Sequence, residues 1–315
     1  MKEILISGST AYDITMQYSW LFEKQRSLYN FSIIADNFQK NHGGTGVNIV
    51  YNLSLLWESS ILLSSMGRDY DFPEVIKKYA NLQYIHKDSH LLTAYSTIVS
   101  DSDDNRLTFF YPGAMIQANE SKVWYVQEDI AVALVSANHI PTMIEHIQVL
   151  GKREKNCILF ADPAQQVSQM TKNELEDFLL PAHYLIANQY EYQEILEKLS
   201  IHQNDLEKQF IAIIVTYGSE WSIIYMDWKL IKIPAISISD IQDTTGAGDA
   251  YRAGVLKALI DGYSLEIWCK LWTILASYCI QWSWSQYHYV TLSQLVEDMK
   301  THFWVEIDIY NKRKF

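Results

Sequence analysis

A glycine-rich stretch near the C-terminus carries the residues best suited to chemistry, Asp243-Thr244-Thr245-Gly246-Ala247-Gly248-Asp249. It leads into residues 249–260, which are predicted to form a helix that stops at Gly262. Small residues at a helix start leave backbone N–H groups open to a ligand, and the helix dipole favours negative charge there. Asp249 would place a carboxylate beside that anion site. This pairing suits phosphoryl transfer to a hydroxyl, although a glycine-rich turn that only opens a packing helix is the alternative.

Strands and helices alternate after about residue 130, which predicts βαβ units and a parallel sheet. The predicted strands are 2–7, 131–136, 157–161, 183–187 and 211–216, and helices are predicted at 172–180 and 191–199. Ligands of such sheets bind at the carboxyl ends of the strands. The residues at or after the ends of the predicted strands are therefore candidates for binding: Asp13, Asp162, Asn188, Glu191, Thr216 and Gly218.

The N-terminal third carries a second glycine-rich segment, His42-Gly43-Gly44-Thr45-Gly46-Val47-Asn48. Glycines 43 and 44 permit close backbone approach to a ligand, and Asn48 both donates to and accepts from hydroxyl groups. Residues 31–38 and 94–110 are rich in β-branched and aromatic side chains, and a polar turn at 101–105 predicts a hairpin.

These motifs resemble those of one known family. DTTGAGDAYRAG is similar to the C-terminal signature of the ribokinase-like (PfkB) sugar and nucleoside kinases, and GGTGVN is similar to their first signature. Asn188-Gln189-Tyr190-Glu191 resembles the family's NxxE motif, and Thr216-Tyr217-Gly218 resembles its T-x-G. The resemblance implies one kinase domain over residues 1–315. Its fold would be a three-layer α/β/α sandwich with a mostly parallel central sheet and a small β lid from about 14–42 and 92–112.

The resemblance also implies a role for each motif. Asp249 would act as the base, and the N–H groups of Gly246, Ala247 and Gly248 would stabilise the developing charge. The sugar would be held by Asp13, Gly43, Gly44 and Asn48. Asn188 and Glu191 would serve ATP phosphate and Mg²⁺, with Glu191 acting through water, and Thr216 and Gly218 would bind the nucleotide. Asp243 would help to bind a monovalent cation such as K⁺, a site that many family members lack.

The expected reaction is transfer of the ATP γ-phosphoryl group to a primary hydroxymethyl group. Thr45, where ribokinases typically have lysine, and the lid turn leading to FYPGAM favour a nucleoside substrate, as in prokaryotic adenosine kinase-like members. A free-sugar kinase for ribose or fructose is the alternative. A non-catalytic binding protein on the same fold is a third interpretation, but it would be expected to lack the base or the anion site.

Composition narrows the classes of partner. The 315 residues carry a formal net charge of -12, which argues against general binding to nucleic acid or anionic membranes. No run of 18 apolar residues and no signal peptide are present, and three cysteines without metal or redox spacing fit a cytoplasmic protein. A homodimer formed through the lid strands is left open.

Glycine and tryptophan occur in unusual numbers. The chain has 12 Gly and 10 Trp, and about 4% glycine is well below the usual value of about 7%. Trp57 follows a predicted helix, Trp228 lies in a predicted Asp-x hairpin turn, and Trp221 and Trp284 lie in loops. We hypothesise that several of these positions are glycine in the living protein, through a genetic code that reads UGA as glycine. A tryptophan-rich sequence with substituted turns is the alternative.

Overall fold

The computed structural model describes residues 3–19, 21, 34–103, 105–153 and 157–307. Its strands are β1 (Glu3–Ser7), β2 (Ala11–Gln17), β3 (Asn37–Gly43), β4 (Ser60–Leu63), β5 (Ser65–Met66), β6 (Ala80–Asn81), β7 (His86–Lys87), β8 (Ala94–Ser100), β9 (Arg106–Tyr111), β10 (Ile130–Val135), β11 (Ile158–Ala161), β12 (Tyr184–Asn188), β13 (Ala212–Thr216), β14 (Trp221–Met226) and β15 (Lys229–Pro234). Its helices are α1 (Thr45–Leu55), α2 (Glu74–Tyr79), α3 (Ile140–Arg153), α4 (Lys172–Leu179), α5 (Gln189–Leu199), α6 (Gln203–Glu207), α7 (Ala247–Ile260), α8 (Leu265–Ile280) and α9 (Leu292–Phe303).

The main sheet has nine strands in the order β15-β14-β13-β12-β11-β10-β1-β4-β6. The strands from β13 to β6 pair in parallel, and β14 and β15 extend the sheet as an antiparallel hairpin. The predicted alternation of strands and helices therefore gives the expected mostly parallel sheet.

Helices cover both faces of this sheet. Alternate residues of β1 point to opposite sides, so Ile4 and Ile6 join the core beneath α1, α7, α8 and α9, whereas Leu5 joins the core beneath α3, α4, α5 and α6. The result is the predicted three-layer α/β/α sandwich. Throughout α7, residues 249–260 are buried, as is usual for a helix that is packed on all sides.

A four-stranded lid sheet in the order β3-β2-β8-β9 lies apart from the main sheet. The predicted hairpin is formed by β8 and β9, and Asp104 in its turn lies outside the described residues. Residues 31–33 of the aromatic-rich segment 31–38 lie outside the described part, and residues 37 and 38 lie in β3, which covers Asn37–Gly43. This polar segment forms a strand because it pairs with β2 along its whole length, which outweighs its weak intrinsic preference.

Three tryptophans adopt a left-handed backbone. Trp57, Trp228 and Trp304 have φ angles of 57°, 61° and 56°, in a region that favours glycine. Trp57 and Trp304 follow helix ends, and Trp228 lies with Asp227 in the tight β14–β15 turn. Trp221 and Trp284 do not have positive φ, so the backbone argument for glycine fails at these two positions.

None of the helices that the structure describes combines the length and apolar character needed to span a bilayer.

Candidate active site

The glycine-rich stretch forms a sharp turn into α7. Gly246 precedes the helix with φ 82° and ψ -5°, and a Cβ at this position would lie 2.3 Å from the Cβ of Ser285. Both constraints require glycine. Among the described residues, no hydrogen-bond acceptor takes the N–H of Gly246 or Gly248, whereas the N–H of Ala247 donates to Thr244 O at 3.3 Å. The helix start thus presents the N–H groups of Gly246 and Gly248 without a partner among the described residues, next to that of Ala247.

Asp249 lies in the first turn of α7, and Asn48 on α1 fixes its orientation. Asn48 Nδ2 donates to Asp249 Oδ2 at 2.8 Å. The Oδ1 atom of Asn48 accepts from Gln286 Nε2 at 2.7 Å and from Ser285 Oγ at 3.1 Å. These two donors fix the amide orientation of Asn48, so that its NH₂ group faces the carboxylate.

Burial raises the pKa of Asp249 to about 7. Arg252 and the Asn48 hydrogen bond act in the opposite direction, and the negative charges of Asp162 and Asp13 add to the rise. A carboxylate with a pKa near neutrality accepts a proton more readily than an ordinary aspartate, as a general base requires.

Asp13 lies on β2, and two glycines stand at the end of β3, Gly43 as its last residue and Gly44 directly after it. Burial, together with the charge of Asp243, raises the pKa of Asp13 to about 6. A Cβ at Gly43 would lie 2.3 Å from Asp13 Oδ2, and Gly44 has φ 92° against the carbonyl of Ser9. Glycine at these positions leaves room for the carboxylate and the turn. Asp13, Gly44, Asn48, Gly246 and Asp249 line one cavity of about 230 Å³.

The NxxE residues form a helix cap. Asn188 Oδ1 accepts from the N–H groups of Tyr190 and Glu191, and Glu191 Oε2 accepts from the N–H of Asn188 at 2.8 Å. Burial raises the pKa of Glu191, although the charge of Arg252 opposes the shift. The cap does not remove these side chains from the site, because both line a second cavity of about 620 Å³.

Thr216 is the last residue of β13 and Gly218 follows it, at the same edge of the sheet as Asn188. They line the 620 Å³ cavity and also an adjoining cavity of about 360 Å³, whose walls include Ile236, Ile238 and Ile280. Gly218 has φ 60°, and a Cβ there would meet nothing within 4 Å, so the backbone and not crowding favours glycine. The third cavity is mostly apolar, which suits the binding of an aromatic base.

Asp243 is set back from these cavities. Its Oδ1 accepts from the N–H of Thr245 at 2.9 Å, which holds the turn before α7. In the part of the chain that the structure describes, no three His, Cys, Asp or Glu side chains cluster as metal ligands would. Any cation here therefore depends on one or two carboxylates, backbone oxygens and water.

The three cavities adjoin one another, because neighbouring cavities share lining residues. Asp249 and Gly246 line both the first and the second cavity, and Gly248, Thr216 and Gly218 line both the second and the third. The start of α7 thus stands between a polar pocket under the lid and a longer cleft that ends in an apolar pocket.

Sequence reasoning gave no role to Ser285, Gln286 or Arg252. The first two are distant in sequence from Asn48, and no local pattern connects them to it. Arg252 could have been found, because a residue three positions after Asp249 on a helix lies on the same face. Arg252 forms a buried ion pair with Asp162. Asp162 was predicted to lie at the edge of the sheet that binds ligands, but its ion-pair partner was not predicted.

Comparison with known proteins decides the family. Residues 1–288 match the model of the pfkB family carbohydrate kinases. The chain belongs to this family. It is therefore a phosphotransferase of the sugar and nucleoside kinase type, as the pfkB signatures predicted.

Individual relatives agree in fold and length. A nucleoside kinase of Methanocaldococcus jannaschii is 29% identical over 308 residues, which cover 96% of this chain and 98% of the relative. A ribokinase of Lactococcus lactis is 24% identical over 98% of this chain and 100% of its own length. The crystal structure of the M. jannaschii enzyme superimposes with a TM-score of 0.86 at 27% identity, covering 96% of this chain and 99% of that one. The Burkholderia thailandensis nucleoside kinase in complex with inosine also gives 0.86, at 24% identity and the same coverage. The ribokinase-like fold is confirmed.

Proposed function

We propose that this pfkB family member transfers the γ-phosphoryl group of ATP to the primary hydroxyl of a nucleoside. One observation carries the proposal: Asp249 and Gly246 line both the pocket under the lid and the cleft that leads to the apolar pocket. An acceptor hydroxyl in the first cavity and a triphosphate in the second would meet at the start of α7. Reactants held in this way need little further catalysis beyond charge stabilisation.

In this mechanism, the nucleoside ribose lies in the cavity lined by Asp13, Gly44 and Asn48, with Gly43 leaving room for the Asp13 carboxylate. Asp249 takes the proton of the attacking hydroxyl while the hydroxyl oxygen forms a bond to the γ-phosphorus. The bond from that phosphorus to the β–γ bridging oxygen breaks, and ADP leaves. The N–H groups of Gly246 and Gly248, with Ala247 between them, face the charge that develops on the phosphoryl oxygens.

The nucleotide occupies the other two cavities. Thr216 and Gly218 contact it where the cleft becomes apolar, and the isoleucine-lined pocket takes the adenine. Asn188 and Glu191 fit Mg²⁺, because this ion keeps most of its waters and needs few protein oxygens. When bound, Mg²⁺ neutralises charge on the triphosphate. Asp243 remains the candidate ligand for K⁺.

A nucleoside is favoured over a free sugar by two observations. The M. jannaschii relative, which matches over nearly the full length, is a nucleoside kinase. The acceptor cavity is also lined by Phe110 and Met115 beside its polar residues, which provides an apolar surface for a base. Ribose and fructose have no base and would leave the surface formed by Phe110 and Met115 uncovered. The free-sugar kinase is therefore the second candidate and not the first.

A coupled ADP-release assay with Mg²⁺ and ATP tests the substrate. We expect turnover with inosine, adenosine or another nucleoside, and kcat/KM for ribose and fructose at least about 100-fold lower. Turnover with free sugars alone would refute the nucleoside assignment. ADP release that is independent of any acceptor would refute the transfer reaction.

We extend the proposal to four coarser properties. Residues 1–315 form one kinase domain, and its net charge of -12 disfavours nucleic acid as a partner. The three cysteines are buried, which suits the reducing cytoplasm. The lid's outer strand exposes Leu107, Phe109 and Phe110, and a second copy of the chain is the partner that would cover it. Sedimentation of the purified protein as a monomer would refute the homodimer.

A further inference from the structure

Arg252 is a buried cation at the phosphate end of the site. It lies one turn after Asp249 on α7 and is 8% exposed. It lines the 620 Å³ cavity together with Asn188, Glu191 and Asp249. Among the described lining residues of that cavity, Arg252 is the one cationic side chain, and the other charged groups are carboxylates. A triphosphate entering this cavity would therefore have one protein cation to meet.

The guanidinium group is held firmly from one side. Its Nε and Nη2 donate to the two carboxylate oxygens of Asp162, each at 2.5 Å. Asp162 is fully buried and also accepts from Ser136 Oγ at 2.6 Å. Such a two-point contact fixes both the position and the plane of the guanidinium group.

The third nitrogen of Arg252 is left for another partner. No described residue accepts a hydrogen bond from Nη1, which lies against Gly248: a Cβ built on that glycine would be 2.7 Å away. Nη1 therefore lies next to Gly248, at the start of α7. This contact gives a reason for glycine at position 248, where φ is not positive.

The electrostatic surroundings keep Arg252 charged. Burial disfavours the cation, but Asp162, Asp249 and Glu191 outweigh this effect and raise the pKa of Arg252 above its ordinary value. Buried charge of this kind is expensive, and a hydrophobic pair of similar size often stabilises a fold equally well. A contribution to stability is therefore a weak reason for this ion pair, and the place of Arg252 beside the phosphate cavity offers another.

We propose that Arg252 is a catalytic residue whose Nη1 donates to a γ-phosphoryl oxygen during transfer, while Asp162 positions it. This inference rests on the proposed kinase reaction. Arg252 keeps its proton throughout: the acceptor proton goes to Asp249, the new oxygen–phosphorus bond forms, and the bridging bond to ADP breaks. The guanidinium group stabilises the negative charge on the oxygens of the phosphoryl group in the transition state of transfer, where an arginine is most effective.

A solely structural role makes different predictions, and three variants separate the two. Arg252→Ala removes the donor, Asp162→Asn weakens only its positioning, and Lys257→Met removes another buried ion pair of the same helix. We expect kcat to fall by about 100-fold or more in Arg252→Ala, less in Asp162→Asn, and little in Lys257→Met once the folded fraction is taken into account.

Two readouts report on the phosphoryl contact itself. Arg252→Ala should bind ADP as the unmodified protein does but ATP more weakly, because only ATP carries the γ-phosphate. Guanidinium ion at non-denaturing concentration should restore part of the lost kcat, since it can replace the missing group. Equal losses in ADP and ATP affinity without rescue, or kcat within about threefold of the unmodified protein, would overturn the proposal.

A second perturbation covers the case in which Arg252→Ala does not fold. Gly248→Ala keeps the Arg252 side chain, but the added Cβ would lie 2.7 Å from Nη1 and would displace that group. We expect a lower kcat with ADP affinity retained. Unchanged kcat in this variant would contradict the proposed placement of Nη1. Absence of phosphoryl transfer in the unmodified protein would instead refute the kinase reaction on which the inference rests.

Discussion

The left-handed conformation of Trp304 predicts that glycine at this position stabilises the protein. Trp304 follows α9 with φ 56° and ψ 32°. Its N–H donates to Lys300 O, and the N–H of Val305 donates to Met299 O, which closes a helix end that usually has glycine at this position. A tryptophan here keeps the hydrogen bonds but adds the steric cost of a left-handed residue with a side chain.

The size of the effect follows from exposure. A left-handed backbone costs a non-glycine residue about 1–2 kcal/mol. Trp304 is 90% exposed, so removing it gives up about 25 Å² of buried surface, or about 0.6 kcal/mol. The greater conformational freedom of glycine in the unfolded chain lowers the free energy of unfolding by about 0.5 kcal/mol more. We therefore expect Trp304→Gly to stabilise the fold by about 0.5 kcal/mol, which is small but opposite in sign to most substitutions.

Trp282 offers a matched control. It is 47% exposed and does not have positive φ, so Trp282→Gly loses about 130 Å² of contact without relieving the backbone. The expected loss is about 3–4 kcal/mol, so the two variants should differ by about 4 kcal/mol.

Urea unfolding of both variants and of the unmodified protein measures the free energies of unfolding directly. Similar losses in Trp304→Gly and Trp282→Gly would refute the reasoning. The gene gives an independent test of the recoding hypothesis, which expects UGA codons at Trp57, Trp228 and Trp304. UGG at all three positions would end it.

Three further predictions concern Asp249. Asp249→Asn removes the base while retaining its shape, so we expect kcat to fall by about 10²–10⁴-fold with nucleoside affinity largely retained in a binding titration. Because the pKa of Asp249 is raised to about 7, the carboxyl is protonated and inactive below that pH, and kcat should rise as pH increases through about 7; a flat profile between pH 6 and about 8 would contradict this. Asn48→Ala removes a hydrogen bond that favours the ionised form, so the midpoint of that pH profile should move upwards, and a downward shift would be inconsistent with the 2.8 Å contact.

The order of elements and the edge of the sheet that binds ligands could be predicted from the sequence. The strands β10 to β13 are fully or largely buried. Strands that are buried on both faces of a parallel sheet are continuous apolar runs, so these segments could be recognised as strands from their composition. The glycine-rich turn before α7 was equally clear, because its backbone requires small residues whatever surrounds it.

The remaining features depend on long-range contacts that no local pattern encodes. The strand β3 is polar and is set by pairing with β2. The orientation of Asn48 depends on Ser285 and Gln286, more than 230 positions away along the chain. Asp162 and Arg252 are 90 positions apart in the chain. They meet because the parallel sheet and α7 pack against each other, which no local pattern predicts.

The burial of α7 has a consequence for motion during turnover. Residues 249–260 are buried, so the helix that carries Asp249 and Arg252 cannot shift without opening the core. Its amide hydrogens should be among the slowest in the molecule to exchange with solvent. By contrast, every residue of β9 in the lid is exposed. We therefore expect any opening and closing of the site to occur through the lid, while α7 and the groups that it carries keep their positions.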